Sequence, residues 1–229
     1  MIPKKIHYCW FGGKPLPEKA LRCIASWKKY CPDYELILWN ESNFDLTQND
    51  YVRYCYENGK WAFLSDYARL AVVAEHGGIY LDTDVELLRS PDNLLVESAF
   101  FGFESNQFVA TGLGFGAIPH HVTVEAMLQQ YDAIVLPDIQ ACPHYNTAAL
   151  LPLGLIPDGS AQTVAGAQIL PIDYMNPYDD LTGRLNLTEN TISIHWYAKS
   201  WVKPGLVLRS RLLRPLRRLF GNRRRESQN

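Results

Sequence analysis

Apolar and polar positions along the chain fall into short blocks whose spacing changes with the element they predict. Ile6-His7-Tyr8-Cys9-Trp10-Phe11 is a β-prone run halted by Gly12-Gly13, so it predicts a first strand that feeds a loop. Pro17 to Tyr30 carries Leu21, Ile24, Ala25 and Lys28 at helical spacing, with Pro17 suited to a first turn. Tyr34 to Trp39, rich in Leu, Ile and aromatic residues, predicts the next strand. Strand, helix and strand within so few residues indicate a βαβ unit with a parallel pair.

The polar stretch Asn40 to Asn49 leads to a second helix, and Trp61 to Glu75 predicts a longer one stopped at Gly77-Gly78. Ile79-Tyr80-Leu81 then reads as a short buried strand running into Asp82-Thr83-Asp84, and apolar character resumes from Val85 to Leu88. Phe100 to Phe103 and Gly112 to Ile118 predict further strands, His120 to Tyr131 a helix, and Thr191 to Trp196 a late strand. No repeat or low-complexity segment interrupts this series, so the pattern describes a single α/β unit.

The 229 residues suffice for one sizeable core, and a hydrophobic content of 47% fits a globular protein. Five cysteines (Cys9, Cys23, Cys31, Cys55 and Cys142) form no C-x-x-C pair, which argues for a reducing compartment rather than a disulfide framework. No apolar run approaches a membrane span and Met1 to Lys5 lacks a signal-peptide core, so the expected location is cytoplasmic. Net charge is −2, yet residues 209–229 hold eight arginines against Glu226 alone. Of 22 basic and 24 acidic residues, 14 and 23 therefore remain in the body, near −9. An acidic body with a basic tail excludes a nucleic-acid-binding domain and suggests an enzyme with an electrostatic anchor.

Asp82 and Asp84 carry the most specific chemistry. On an extended segment, residues two apart point to one side, so their carboxylates would share a space just past a strand end, where open α/β sheets bind ligands. Two ionised carboxylates that close repel, and a hard divalent cation (Mn2+ or Mg2+) that also takes phosphate oxygens resolves the conflict. On the preceding helix, Asp66 and Arg69 are three apart and share a face. Most of their neighbours are apolar, so the pair is expected to look into a polar cleft, the acid accepting sugar hydroxyls and the arginine holding phosphate or a sugar oxygen. Asn176, Asp179 and Asp180 form a polar loop that could face an acceptor. His7, His120 and His121 read as structural or surface residues.

Three motifs in order, the Ile6–Gly13 run, Phe63-Leu64-Ser65-Asp66-Tyr67-Ala68-Arg69, and Gly77-Gly78-Ile79-Tyr80-Leu81-Asp82-Thr83-Asp84, resemble the DXD-containing glycosyltransferases. That group includes bacterial capsular-polysaccharide sugar transferases, fungal initiating mannosyltransferases and, distantly, the glucosylating clostridial toxins. The resemblance implies a GT-A fold: a single Rossmann-like domain over residues 1–205 with a mixed, mostly parallel sheet flanked by helices. It implies a nucleotide-sugar donor (a UDP-sugar favoured, a GDP-sugar possible), Mn2+ or Mg2+, and transfer with retention. By motif, Trp10 would lie against the base, with Tyr8 and Cys9 helping to read it. Asp66 and Arg69 would contact the donor sugar, Asp82 ribose or sugar hydroxyls, and Asp84 the metal. His195-Trp196 and Ser200-Trp201 match the late metal- and phosphate-binding stretch, with His195 a further metal ligand.

Residues 206–229 read as a basic amphipathic or disordered tail, in which Leu212, Leu213, Leu216, Leu219 and Phe220 recur among arginines and Pro215 breaks the pattern. An anionic membrane is its expected partner, which suits a lipid-linked saccharide acceptor. A metal-dependent nucleotidyltransferase or nucleotide-sugar hydrolase would use the same two carboxylates, and a non-catalytic sugar-nucleotide-binding protein would keep them without turnover.

Overall fold

A computed structural model describes residues 1–198 together with 205, 209, 212–215 and 217. The expected βαβ unit opens the chain: β1 (Lys5–Cys9), α1 (Glu18–Tyr30) and β2 (Glu35–Trp39), with β1 and β2 parallel. Then come α2 (Asp50–Glu57), whose first turn is capped by the Asn49 side chain, and α3 (Trp61–His76). They are followed by β3 (Gly78–Tyr80), β4 (Val85–Leu87), β5 (Ala99–Ser105), β6 (Phe108–Val109), β7 (Phe115–Ala117) and α4 (Val122–Gln129). The remainder is α5 (Cys142–Leu150), β8 (Gln162–Val164), β9 (Ala167–Leu170), α6 (Ile172–Met175), β10 (Tyr178–Asp179), β11 (Arg184–Leu185) and β12 (Ser193–His195).

The main sheet runs β2-β1-β3-β7-β5-β9-β8, with β6 on β5. Pairing gives β1, β2, β3, β5 and β9 one direction and β6, β7 and β8 the other, so the sheet is mixed and mostly parallel, as the resemblance implies. Two-residue alternation divides the strands between two cores. Cys9, Tyr80, Phe101 and Phe103 pack toward α2, α3, α4 and α5, whereas Ile6, Ile79, Leu81 and Phe100 pack toward α1, β4 and α6. Asp82 falls two residues after Tyr80 and follows it to the α3 side.

Two devices fix the end of β3. At Gly77 and Gly78, φ is 61° and 110°, and a Cβ on Gly77 would lie 2.7 Å from Pro119 Cδ, so the stop of α3 requires glycine. The buried His7 ring then accepts from Trp39 Nε1–H at Nδ1 (3.0 Å) and donates from Nε2 to the Gly77 carbonyl (2.8 Å). Burial holds this imidazole neutral, with its pKa lowered to about 4. His7 is thus structural, as expected.

Several boundaries differ from the sequence pattern. Thr111 to Leu113 is a 3-10 turn rather than strand; Gly114 follows at φ 108°, where a Cβ would lie 2.7 Å from Leu81 Cδ2 and 2.9 Å from Met175 Cε, and only Phe115–Ala117 pair. The fourth helix starts at Val122 because His120 sits at φ 54° and His121 caps the helix; its end tightens into 3-10 turns over Gln130–Ala133. The late strand is three residues long. No helix among the described residues is long and apolar enough to cross a membrane.

Trp27 of α1, fully buried, donates its indole N–H to the Val85 carbonyl (2.7 Å), and Ser26 Oγ accepts from Leu87 N–H (2.9 Å). Helix α1 therefore holds the strand that leaves the Asp82–Asp84 turn. Trp27→Phe, which orphans the Val85 carbonyl and shrinks the side chain, is expected to cost about 2 kcal/mol or more of unfolding free energy. A urea titration by tryptophan-independent circular dichroism checks this; an unchanged midpoint would refute the role given to the indole.

Candidate active site

The Asp82–Asp84 segment is a turn, closed by Val85 N–H donating to the Asp82 carbonyl (2.9 Å), rather than the extended run expected from the pattern. The turn is needed because the chain must leave the main sheet after β3 and enter a separate ribbon. In that ribbon β4 pairs antiparallel with β12, Val85 opposite His195, Glu86 opposite Ile194 and Leu87 opposite Ser193. The register sets His195 beside Asp84. Its Nε2 lies 3.2 Å from Asp84 Oδ1, Trp196 N–H donates to the Asp84 carbonyl (3.0 Å), and Ala198 N–H donates to Asp84 Oδ2 (2.6 Å).

Asp82, Asp84 and His195 each offer one ligand atom, and these three atoms lie within 4.8 Å of one another. A divalent ion with ligands at ~2.1 Å would keep them within ~4.2 Å of each other, so after a small contraction the three atoms would fit as part of its shell. Two carboxylates and an imidazole suit Mn2+ better than Mg2+, which favours oxygen alone. Burial acts to raise the Asp84 carboxyl, but His195 and the Ala198 N–H outweigh it and hold its pKa down at about 2. Burial acts to lower the His195 pKa, and the facing Asp84 raises it instead. His195 Nδ1 is buried and finds no partner among the described residues.

Asp82 is held from the other side. Arg69, with only 4% of its side chain exposed, donates from Nη2 to both Asp82 oxygens (3.0 and 3.3 Å), and Tyr80 Oη donates to Oδ1 (2.9 Å). The same Nη2 lies 2.9 Å from Asp66 Oδ1, Arg69 Nε donates to the Ser65 carbonyl (3.2 Å), and Nη1 faces Thr111 Oγ1 (3.5 Å) and Cys142 Sγ (3.6 Å). The guanidinium is thus directed at protein acceptors. Two buried carboxylates share one cation, so together they carry an excess negative charge. Burial raises the Asp66 carboxyl to about 7, Arg69 opposing and Asp82 adding to the rise. Burial likewise raises Asp82.

At the sheet edge, Trp10 is half-buried, its indole N–H donating to the Lys14 carbonyl (2.5 Å). The Tyr8 ring meets Trp27 edge-on, and the Cys9 thiol is buried, its pKa pushed up to about 12. These three follow β1 to the same strand-end edge as Asp82, and the Cys9 thiol lies beside Tyr80 and close enough to Arg69 and Asp82 to feel their charges. Asn176 donates from Nδ2 to the Glu104 carbonyl (2.9 Å). Asp179 ties its own turn through Thr182, and Asp180 pairs with Arg214 (2.9 Å). Ser200 and Trp201 lie outside the described residues. All five cysteines are buried free thiols.

Three site residues escape the sequence pattern. A Cβ on Gly112 would lie 2.9 Å from Asp82 Oδ2 and 3.2 Å from Arg69 Nη1, so the backbone there closes over the ion pair. Asn146 of α5 accepts from Thr111 N–H (3.1 Å) and Oγ1–H (3.0 Å), which fixes that turn. Glu104 accepts from Tyr197 Oη (3.2 Å), and the Tyr197 ring lies 4.1 Å from that of His195. Its charge helps raise His195 and Asp66, so it faces the same space. A Gly within a Thr-Gly-Leu-Gly stretch was the one legible signal among them.

A model of the glycosyltransferase sugar-binding region containing the DXD motif matches residues 17–101, which include Asp66, Arg69, Asp82 and Asp84. Residues 17–101 therefore resemble the sugar-binding region of the DXD-containing glycosyltransferases. The chain is 35% identical over 98 residues to inositol phosphoceramide mannosyltransferase 3 of Schizosaccharomyces pombe, a match covering 41% of the chain and 27% of the relative. It is 28% identical over 123 residues to the human alpha-1,4-N-acetylglucosaminyltransferase, covering 53% and 28%. The chain therefore spans about a quarter of these relatives' length. Among solved structures, the PaToxG glycosyltransferase superposes with a TM-score of 0.51 at 19% identity, over 66% of this chain and 69% of that one. The fold is of the GT-A type.

Gly112→Ala is expected to push Asp82 off Arg69 and cost about 1–3 kcal/mol. Differential scanning calorimetry reads this as a lowered midpoint, and an unchanged midpoint would show that the turn has room to spare. The Asp66 shift gives a second expectation. Its carboxyl titrates near pH 7 when folded and near 3.8 when unfolded, so the folded state binds the proton more tightly. Stability from this group is greatest below about pH 4, declines as pH rises toward 7, and is level above. In Asp66→Asn that decline is removed, so the gap between variant and wild-type urea midpoints should shift in the variant's favour between pH 4 and 7. A constant gap contradicts the assignment.

Proposed function

We propose that the chain transfers a sugar from a nucleotide-diphosphate-sugar donor to a saccharide or lipid-linked saccharide acceptor, with retention, in the synthesis of a capsule, lipopolysaccharide or exopolysaccharide. The observation that carries this reading is the convergence of Asp82, Asp84 and His195 within 4.8 Å, at the carboxyl edge of a GT-A sheet. Asp84 and His195 would hold Mn2+, or Mg2+ less well. When bound, the cation supplies Lewis-acid neutralisation of the departing diphosphate.

The residues of the chain do the positioning. Asp82 keeps its carboxylate fixed by Arg69 and Tyr80 and offers its remaining acceptor capacity to ribose or sugar hydroxyls. Asp66 stands behind Arg69 on the donor-sugar side, holding the guanidinium in place. Trp10, with Tyr8 and Cys9, supplies the base-facing edge, and a UDP-sugar is the favoured donor, a GDP-sugar the second choice. Ser200 and Trp201 would bind the diphosphate. The arrangement works by orientation and fixed charge, which in a dry site require no reorganisation at the moment of transfer. The arginine-rich segment after residue 205 would hold the enzyme peripherally on an anionic membrane, on its cytoplasmic face.

A panel of nucleotide sugars with Mn2+, scored for released nucleoside diphosphate, tests the proposal. Asp84→Ala and Asp82→Ala are each expected to lower release by about 100-fold or more, and chelation to do the same. Full activity in either variant or in chelator would sink the reading, and acceptor-independent product would point to a hydrolase instead.

A further inference from the structure

His195 lacks the anchor that a metal-ligating imidazole ordinarily has. Such a ring is usually fixed by a hydrogen bond from its second nitrogen to a carboxylate, a carbonyl or a water, which sets its orientation and its tautomer. Nε2 of His195 faces Asp84, and Nδ1 is buried with no hydrogen-bond partner among the described residues. Among those residues the ring therefore has one polar contact, to Asp84, and a cation seated between the two groups would replace it.

The group packed on the ring is Tyr197. On an extended strand, side chains two apart share a face but stand about 6.6 Å from each other. The Tyr197 and His195 ring centroids are only 4.1 Å apart, with the planes tilted by 46°. The chain leaves β12 with Tyr197 in the left-handed region, at φ 48°. A bulky aromatic residue takes that conformation only when its surroundings impose it. Three hydrogen bonds do so here. Trp196 N–H and Ala198 N–H, on either side, donate to the Asp84 carbonyl (3.0 Å) and to Asp84 Oδ2 (2.6 Å), and Tyr197 Oη donates to Glu104 Oε1 (3.2 Å).

Glu104 is itself specially placed. Between β5 and β6 the register shifts: Phe103 lies opposite Val109 and Ser105 opposite Phe108, so β5 carries one residue more, Glu104. A bulge of this kind re-aims a side chain out of the alternation of its strand. Asn176, at the end of α6, donates from Nδ2 to the Glu104 carbonyl (2.9 Å) and holds the bulged backbone.

We infer that Tyr197 and Glu104 are positioning residues for His195: Glu104 holds the Tyr197 hydroxyl, and the Tyr197 ring fixes the orientation in which the imidazole meets a divalent cation with Asp84. Ring packing supplies here what a hydrogen bond at Nδ1 ordinarily supplies, and it persists when the contact to Asp84 gives way to a cation. Both residues act through the imidazole. The inference deepens the proposed function and rests on its assignment of Asp84 and His195 as cation ligands.

The test is a titration of the full chain with Mn2+ alone, read by loss of the free-ion electron paramagnetic resonance signal. Tyr197→Leu leaves the backbone demand in place and removes the aromatic face. It is expected to weaken Mn2+ binding about tenfold, the low end of what outer-shell partners of a metal ligand contribute. Glu104→Ala, which frees the hydroxyl, is expected to weaken it about fivefold, and Glu104→Gln, which keeps an acceptor, to stay within about twofold. In a His195→Ala background, Tyr197→Leu should change the affinity by less than about twofold, because the side chain it positions is gone. Equal losses in both backgrounds would assign Tyr197 a general structural role and overturn the inference, as would wild-type affinity in Tyr197→Leu. Equal weakening by Glu104→Gln and Glu104→Ala would show that Glu104 acts by its charge and overturn its part. No Mn2+ binding by wild type, or undiminished binding by His195→Ala, would overturn the cation-ligand assignment and the inference with it. Should Tyr197→Leu fail to fold by circular dichroism, Tyr197→Phe decides: it keeps the ring, loses the hydroxyl and should match Glu104→Ala, and wild-type affinity in both would overturn the inference.

Discussion

One buried cation holds the floor of the active site together. The guanidinium of Arg69 reaches Asp66 on its own helix, Asp82 past the end of β3, the Ser65 carbonyl, and the Thr111 and Cys142 side chains. A charge this deep is tolerated only when paired and hydrogen-bonded, and removing one partner of such a set typically costs about 3–5 kcal/mol. The elements that carry its partners, α3, β3, the 3-10 turn and α5, are therefore locked in one arrangement around it. Gly112 fits because the turn must close to contact distance over the pair, and Asn146 holds that turn by its backbone and hydroxyl.

The other half of the site depends on a strand pairing of a different kind. The β4–β12 ribbon belongs to neither edge of the main sheet, yet among the described residues it is the element that brings an imidazole to the aspartates. Asp84 answers to this ribbon, with His195 and two backbone N–H groups around it, while Asp82 answers to α3. Neighbours in sequence, the two acids are thus held by opposite walls. Asp84 is depressed because it faces an imidazole and amide donors, whereas burial, with the charge of Asp84 beside it, raises Asp82 against the pull of Arg69.

Much of this was legible from the sequence because local pattern and global fold agree. The βαβ start, the Gly77-Gly78 stop and the apolar run into Asp82 combine strong periodicity with unambiguous breakers, and the family motifs fall on these same elements. The stretch from Cys142 to Leu185 was not legible. Its strands are two to four residues long, and the hairpin between β8 and β9 turns through Ala165 and Gly166, both at positive φ, where a readable sequence would place Asn-Gly. His195 was visible only by family resemblance, since strand register, not spacing, sets it beside Asp84. Glu104 had no signal at all: a glutamate ending a strand looks like a solvated one until Tyr197 and Asn176 are seen around it.

The separation of Asp84 from His195 along the chain has a consequence for synthesis. The helix and strands that carry both aspartates leave the ribosome first, and the imidazole that completes the cluster follows more than a hundred residues later. At ordinary elongation rates of ~5–20 residues per second, the interval is on the order of ten seconds. Throughout that time the nascent chain holds two carboxylates without the imidazole and without the ribbon that fixes Asp84. The three-residue cluster is therefore assembled late, only once β12 has paired with β4.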